Sequence, residues 1–398
     1  MLYRPSMISL SDNAATNRIP PRPKDMQQDN YLEKFDFQTI FSDVLISGGR
    51  VWLIGPPFLN LEEPLKDSVF RWNGKDVSDS VVFENFNRMS RASFSTEEEC
   101  GELSIQSELG CWRRTVNSAD PDFLASERVI VTQQQNNRLE WIAYWAYFNV
   151  VVNGASALVI YDNKSNDYSL SALEELLSMI PGLKKWVIVD WKTPYGVTGG
   201  PANRWDSDFG QYVSWEHSRR AFTMKAKSVM IIDVDELPVT TEKKTIFEQL
   251  ESSNAKAILF KRQPIRAFPN RSNRLEGLRV HGDYSLGETR GAWLAAKYAY
   301  VPARLEEKDQ LKVHLLEGEN VKSLTPPSNF AGHFDAIRIR WRISETLPVQ
   351  NFKRAEDIKE DVSPVQIFDQ EFDQLSDSWS KVLQNIKTLI NKQREPHI

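Results

Sequence analysis

Cysteine is nearly absent from this chain, because only Cys100 and Cys111 occur among its 398 residues. Two cysteines that form no CxxC pair exclude a disulfide-rich scaffold and fit a reducing compartment. No apolar run approaches the roughly 20 residues that a membrane-spanning helix needs, and the polar start of the chain shows no signal peptide. We therefore expect a soluble cytoplasmic protein, which would work at the membrane surface if it serves a membrane pathway.

A basic surplus is also lacking, since 49 Lys and Arg residues stand against 54 Asp and Glu residues, a net charge of -5. Proteins that bind duplex nucleic acid carry a basic patch or stripe, so this balance argues against a nucleic-acid partner. The hydrophobic fraction of 41% and the charged fraction of 26% are ordinary for a globular protein. The length predicts a main domain with sizeable additions.

The first 127 residues read as two segments. Residues 1–34 are polar and proline-rich, which predicts a flexible tail. In residues 35–127, short apolar runs flank the turn sequence Ser47-Gly48-Gly49-Arg50, and Asn73-Gly74 is a strong hairpin signal. We therefore expect a β-rich N-terminal extension over residues 35–127.

From residue 128 onward, short apolar strands alternate with helices. Apolar runs at 129–132, 157–161, 186–189 and 229–232 are separated by stretches with helical periodicity. This pattern predicts an α/β fold over residues 128–342, with a Rossmann-like, mainly parallel sheet and helices on both faces. Ligands of such sheets bind beyond the carboxyl ends of the strands.

Residues 343–398 should form a linker and a C-terminal amphipathic helix. Phe368, Phe372, Leu375 and Trp379 begin an apolar stripe with spacings of four and three residues. We expect this helix to pack on its own protein; a dimer seam or peripheral membrane association are the alternatives.

Asp233-Val234-Asp235-Glu236 directly follows the fourth apolar strand. If the chain stays extended there, Asp233 and Asp235 point to one side. Neighbouring carboxylates repel each other unless a cation lies between them, and hard oxygen ligands suit Mn²⁺ or Mg²⁺. The sequence therefore predicts a divalent-metal site in which Asp233 and Asp235 are the catalytic and metal-binding residues.

Three motifs in this order resemble glycosyltransferase family 92 and its family 2-like bacterial relatives. They are Asn137-Arg138-Leu139-Glu140-Trp141-Ile142, then Tyr161-Asp162-Asn163 with Ser165 and Asp167, then Asp233-Val234-Asp235-Glu236. The resemblance covers about residues 128–236 well and extends more loosely to about 342. It implies a GT-A fold that binds a nucleotide sugar, a UDP-sugar by analogy, with Mn²⁺ or Mg²⁺ bridging the diphosphate. A glycan or other hydroxyl-bearing glycoconjugate would be the acceptor.

The resemblance also implies roles for single residues. It places four side chains at the nucleotide, those of Thr132, Arg138, Asp162 and Asn163. Asp235 would ligate the metal directly, while Asp233 would hold the ribose or a metal-bound water. His314 in Lys312-Val313-His314 resembles the histidine ligand that such folds add, and His333 resembles a second element of the family.

The resemblance further implies transfer with inversion, which requires a carboxylate base near the acceptor hydroxyl. Asp283 and Glu288 are candidates for this base, and the sequence does not choose between them. Fixed cations, Arg138 and Lys297, would stabilise charge on the leaving group.

Two other functions remain open at this stage. A metal-dependent nucleotidyltransferase uses similar carboxylates, but it needs a glycine-rich phosphate loop where this chain has Gln133-Gln134-Gln135-Asn136-Asn137. A non-catalytic scaffold that binds nucleotide sugars or glycans is the second alternative. The fold alone does not distinguish among these three functions.

Overall fold

The computed structural model describes residues 1–12, 14–199, 205–271, 278–288, 293–337 and 362–394. The α-helices in these ranges are α1 (Tyr31–Lys34), α2 (Glu62–Lys66), α3 (Leu139–Val151), α4 (Leu170–Ser178), α5 (Gly210–Ser218), α6 (Ile246–Glu251) and α7 (Gln366–Arg394). A π-helical turn, Arg219–Thr223, continues α5.

The strands in the first 127 residues are β1 (Leu2–Tyr3), β2 (Ile8–Ser9), β3 (Thr39–Phe41), β4 (Asp43–Ser47), β5 (Arg50–Gly55), β6 (Val69–Trp72), β7 (Lys75–Asp76), β8 (Val82–Phe86), β9 (Met89–Ser95), β10 (Cys100–Ser107) and β11 (Gly110–Asn117). Those that follow are β12 (Arg128–Gln134), β13 (Ala157–Asp162), β14 (Lys185–Asp190), β15 (Ser228–Ile231), β16 (Glu236–Thr240), β17 (Ala257–Ile265), β18 (Leu286–Glu288), β19 (Leu294–Tyr300), β20 (Gln310–Leu311), β21 (Leu316–Glu317), β22 (Ser323–Leu324), β23 (Asn329–Phe334) and β24 (Val362–Pro364).

The central sheet has the strand order β1-β14-β13-β12-β15-β19-β17-β18-β24. The pairings from β1 to β15 are all parallel, whereas β19 is antiparallel to both of its neighbours. The chain runs from β12 outward to β14 and then returns to the other side of β12 as β15. This reversal creates the kind of crevice in which α/β proteins bind ligands.

Successive residues of each parallel strand face opposite sides of the sheet, and both sides are apolar. Ile130 of β12 packs with α3, α4 and α7 in one core. Its neighbours Val129 and Val131 pack with α5 in the other core. The predicted fold class is therefore confirmed: an α/β sheet with helices on both faces, a β-rich extension and a C-terminal helix.

The β-rich extension consists of two four-stranded antiparallel sheets, β4-β5-β9-β8 and β11-β10-β6-β7. Both predicted hairpins are confirmed. The β4–β5 turn contains Gly48 and Gly49, and the β6–β7 turn contains Asn73 and Gly74, all with positive φ. Positive φ at both central positions suits the right-handed twist of the flanking strands.

Buried charges join the extension to α5. Glu216 of α5 accepts hydrogen bonds from Arg91 of β9 at 2.5 Å and from Arg220 at 2.7 Å. Both guanidinium groups also lie over the Trp52 ring, at 5.3 Å and 4.3 Å from its centroid. Burial would raise the pKa of Glu216, but Arg220 and Arg91 hold it at about 2.

The first residues differ from the predicted flexible tail. β1 pairs with the edge strand β14, and the Tyr3 hydroxyl donates to Asp43 Oδ2 at 2.7 Å. The buried Arg18 guanidinium donates to the carbonyls of Asp36 and Pro57 at 2.8 Å each. Composition missed this arrangement, because the segment is held by long-range hydrogen bonds and by a few scattered apolar residues, such as Ile8 and Leu10, that are buried against distant parts of the chain.

Helix α7 packs on its own chain, as expected. Its apolar stripe, which includes Phe372, Trp379 and Ile386, is buried in the core that also contains α3 and α4. Along the described part of the chain, every helix is too short or too polar to cross a membrane.

The buried charges between β9 and α5 give a stability prediction. Glu216→Gln should lower the free energy of unfolding by about 3 kcal/mol, because it removes the buried carboxylate that pairs with both guanidinium groups and leaves them only the more exposed Glu84 and Glu307. Urea denaturation measures this loss. The control is Glu102→Gln, whose carboxylate lies in an exposed pair with Arg113 at 3.5 Å and should change stability by less than about 1 kcal/mol. Equal losses of stability in Glu216→Gln and Glu102→Gln would show that the buried charges stabilise the protein no more than an exposed ion pair does.

Candidate active site

The parallel strands β12, β13, β14 and β15 end at one edge of the sheet. Asp233 lies two residues after the end of β15, next to the reversal of strand order between β12 and β15. The predicted acidic motif therefore lies where α/β sheets bind ligands.

Asp233 is held by two neighbours. The buried Lys297 of β19 donates to Asp233 Oδ2 at 2.9 Å, and Gln211 of α5 donates to Oδ1 at 3.2 Å. Gln211 is itself oriented by the Tyr195 hydroxyl, which donates to its Oε1 at 2.8 Å. This chain of contacts fixes the Asp233 carboxylate in one orientation.

Glu236 is fully buried and is the second neutralised carboxylate. Arg262 of β17 donates to its Oε1 at 2.7 Å, and the Asp233 backbone N–H donates to its Oε2 at 2.9 Å. Lys297 Nζ lies 3.6 Å from the same Oε2. A buried carboxylate needs such partners, because an unpaired charge in the interior is costly.

Asp235 lies close to His333. Its Oδ2 is 3.4 Å from His333 Nε2. Antiparallel pairing of β16 with β23 brings the two together, since Glu236 is opposite His333 and the Phe334 N–H donates to the Asp235 carbonyl at 2.8 Å.

Ligand atoms of Asp235, Glu236 and His333 lie within 4.8 Å of one another. Because both oxygens of Glu236 are already engaged, Asp235 and His333 are the better donors for a cation. One carboxylate oxygen and one imidazole nitrogen suit Mn²⁺ better than Mg²⁺, which prefers oxygen ligands. The carboxylates of Asp233, Asp235 and Glu236 and the positively charged side chains of Lys297 and Arg262 together leave one net negative charge at this site.

The extended chain that the sequence analysis assumed at Asp233 and Asp235 is not present. The Glu236 N–H donates to the Asp233 carbonyl at 3.1 Å, so the segment turns instead of continuing β15. Alternation of side chains applies only to extended chain. As a result, Asp233 contacts Lys297 while Asp235 approaches His333.

His314, the predicted histidine ligand, lies outside the three-residue cluster. Its Nδ1 donates to the Ala296 carbonyl at 2.9 Å. Burial, with Lys297 and Arg262 nearby, lowers the pKa of His314 to about 4. It is therefore neutral at pH 7, a state that suits a metal ligand, but the structure brings His333 and not His314 to Asp235. Its role as a ligand stays a prediction.

The residues predicted to face a nucleotide are largely engaged with the protein. Asp162 Oδ1 accepts from the Ser165 N–H at 2.9 Å, and burial raises the pKa of Asp162. Asn163 donates to the carbonyls of Trp191 and Thr193 at 2.8 Å and 2.9 Å. These contacts shape the loops after β13 and β14.

The other two predicted nucleotide contacts differ from each other. Thr132 is fully buried at the end of β12, and its hydroxyl has no hydrogen-bond partner among the described residues. Arg138 is exposed before α3, with its guanidinium 5.0 Å from the centroid of the Trp141 ring. Arg138 is thus placed to meet an anion at the amino end of a helix.

The two candidate bases are both in contact with arginines. Glu288 forms an ion pair with Arg266. Asp283 is buried, which raises its pKa, and it lies 3.7 Å from Arg279. Their roles as bases remain predictions.

Sequence reasoning missed Gln211, Tyr195 and Arg262. Arg262 lies in β17, and its partner Glu236 is 26 residues away in the chain. Gln211 carries no local signal at all. Only the pairing of β19 with β15 and β17 and the position of α5 bring these groups together.

Known proteins give only distant matches. No protein-family model matches the chain, and no curated protein matches its sequence. The chain is similar to the structure of GalNAc-T7 with UDP, GalNAc and Mn²⁺, at 11% identity over 55% of this chain and 45% of that one, with a TM-score of 0.30. It is also similar to TarS 1–349 of S. aureus in complex with UDP, at 13% identity over 45% and 47%, with a TM-score of 0.27.

A third similar structure is that of the apo WbbM bifunctional glycosyltransferase, at 19% identity over 42% of this chain and 27% of that one, with a TM-score of 0.24. The chain thus spans less than half the length of each of these proteins. At these identities and TM-scores the likenesses assign no activity to this chain.

The His281 side chain contacts the backbone of the acidic turn, and its burial predicts how the stability of the protein depends on pH. Its Nε2 donates to the Val234 carbonyl at 2.8 Å, and complete burial lowers the pKa of His281 to about 3. An unfolded histidine has a pKa of about 6.5, so between pH 6.5 and 3 the unfolded state binds the proton first. Stability should therefore fall as the pH falls through this window, by up to about 1.4 kcal/mol per pH unit from this residue.

The measurement is urea denaturation between pH 7 and pH 5, where most carboxylates stay ionised. His281→Gln keeps an amide donor for Val234 but cannot titrate, so its stability should depend less on pH than that of the wild type. Identical pH profiles for the two proteins would show that His281 is not held neutral.

Proposed function

We propose that this protein is a metal-dependent glycosyltransferase of the GT-A kind, which transfers a sugar from a nucleotide-sugar donor, a UDP-sugar by analogy, to a hydroxyl of a glycan or glycoconjugate. The observation that carries the proposal is the approach of His333 to Asp235, directly after a buried strand of the parallel sheet. The sequence motifs that resemble family 92 and family 2-like transferases support it independently.

The arrangement of charges supports divalent-metal binding at Asp235. Lys297 and Arg262 neutralise Asp233 and Glu236, so Asp235 is the carboxylate left for a cation, with His333 as the nitrogen donor. A bound Mn²⁺ or Mg²⁺ would act as a Lewis acid toward the diphosphate leaving group.

The protein's own residues then have distinct tasks. Asp233, held by Gln211 and Lys297, presents a fixed carboxylate that can accept hydrogen bonds from a ribose. Arg138, at the amino end of α3, can stabilise negative charge on the departing diphosphate. Inversion is the expected outcome, and Glu288 is the candidate base, because Asp283 lines a cavity whose lining includes neither Asp235 nor His333.

Removal of the proposed metal ligand tests this function. Asp235→Asn should lower nucleotide-diphosphate release from UDP-sugars with Mn²⁺ by at least about a hundredfold, because Lewis-acid stabilisation contributes several kcal/mol. The matched control is Asp79→Asn, an exposed site in the β-rich extension, which should keep full activity. Full transfer by Asp235→Asn would contradict the proposal. Release of pyrophosphate would indicate a nucleotidyltransferase instead.

Binding can be tested without knowledge of the acceptor. UDP with Mn²⁺ should raise the thermal unfolding midpoint of the wild type, because a ligand of the native state stabilises it by mass action. Asp235→Asn and His333→Gln should each remove most of this shift, whereas Asp79→Asn should retain it. A shift with UDP that does not depend on Mn²⁺ in the wild type would argue against a metal-bridged diphosphate.

A further inference from the structure

A cavity lies between α7 and the segment 278–283. Its volume is about 380 Å³, within the roughly 300–1,000 Å³ that is typical of small-ligand pockets. Its apolar wall includes Tyr144, Phe372 and Trp379, and its polar wall includes Asn270, Arg271 and Asp283.

A layer of side chains separates this cavity from the acidic turn. His281 Nε2 donates to the Val234 carbonyl, and the Phe334 backbone N–H donates to the Asp235 carbonyl, each at 2.8 Å. On their other side, the His281 ring stacks on Tyr144 at 5.6 Å, and the Phe334 ring lies 6.3 Å from Phe372. The residues that line the cavity include neither Asp235 nor His333.

The Tyr144 hydroxyl belongs to the wall of this cavity. Tyr144 is only 2% exposed, and its hydroxyl forms no hydrogen bond within the described ranges of the chain. The hydroxyl lies beside Gly282, where an added Cβ atom would be only 2.6 Å away. A tyrosine hydroxyl both donates and accepts, so it can form a hydrogen bond with a polar group of a ligand in the cavity.

Asp283 offers hydrogen-bond acceptors close by. It is 4% exposed, its Oδ2 accepts from the Val280 N–H at 2.8 Å, and its Oδ1 is 3.7 Å from Arg279. These contacts leave acceptor positions of the Asp283 carboxylate unused, since a carboxylate has about four of them. Hydroxyl groups of a ligand could donate hydrogen bonds to the unused positions.

Three aromatic rings contact one another in the apolar wall of the cavity. The Tyr144 ring centroid lies 4.8 Å from that of Trp379 and 6.0 Å from that of Phe372. The negative faces of such rings attract the C–H bonds of a ligand. Arg271 is already paired with Asp369 at 2.7 Å and with Asp373, so the cavity has no excess positive charge for an anion.

We propose that this cavity binds a neutral sugar ring, with its hydroxyls on Asp283 and Tyr144 and a C–H face on the aromatic wall. This goes beyond the proposed transferase reaction, which takes place at Asp235 and needs no second sugar site. Such a cavity would anchor a distal unit of a glycan chain.

The test is saturation-transfer NMR of the full-length protein with methyl glycosides of glucose, galactose, mannose and N-acetylglucosamine. At least one glycoside should bind to the wild type when UDP and Mn²⁺ are present in excess. The same glycoside should bind equally well to Asp235→Asn. Tyr144→Phe removes only the hydroxyl and should weaken that binding roughly threefold to tenfold. Asp283→Asn should weaken it by about tenfold or more.

The matched control is Tyr147→Phe, which changes a buried tyrosine of the same helix that does not line the cavity and should bind as the wild type does. Thermal unfolding of each variant establishes that it is folded. Absence of saturation transfer from all four glycosides, or wild-type binding by both Tyr144→Phe and Asp283→Asn, would overturn the proposal. Complete displacement by UDP would also overturn it. Loss of transferase activity in Asp235→Asn with retained glycoside binding would separate the two sites.

Discussion

Neutralisation of two carboxylates, one of them fully buried, is the interaction on which the site depends. Asp233 and Glu236 are held by Lys297 and Arg262, which β19 and β17 bring to the end of β15. Without these cations, three adjacent carboxylates would repel one another in a poorly solvated place. With them, Asp235 alone keeps a carboxylate that faces a second donor, His333.

The two ends of the chain support this arrangement from opposite faces of the sheet. The β-rich extension is fastened to α5 through Glu216 and Arg91, and α5 carries Gln211 to Asp233. On the other face, α7 packs against the layer that contains His281 and Phe334, which contact the backbone of the acidic turn. The extension and α7 are therefore part of the framework of the site, although neither contributes a candidate ligand.

Much of the fold follows from local patterns. The four apolar strands of the parallel sheet, the hairpin at Asn73-Gly74 and the stripe of α7 are all present where the sequence predicts them, because periodicity and turn chemistry are local properties. The same reasoning failed for residues 1–34. Arg18 and Tyr3 are held by groups that are distant in the chain, and composition carries no information about such partners.

The sequence by itself determined the place of the acidic motif, since an apolar strand followed by Asp233-Val234-Asp235-Glu236 in an α/β pattern must end at the ligand-binding edge of the sheet. Only the tertiary structure decided which of the three carboxylates are neutralised by Lys297 and Arg262 and which one remains for a metal ion. That division depends on a turn at Asp233–Glu236 and on Lys297, Arg262 and His333, which come from three separate strands. Electrostatic partners are selected by distance in space, and no spacing along the chain encodes that distance.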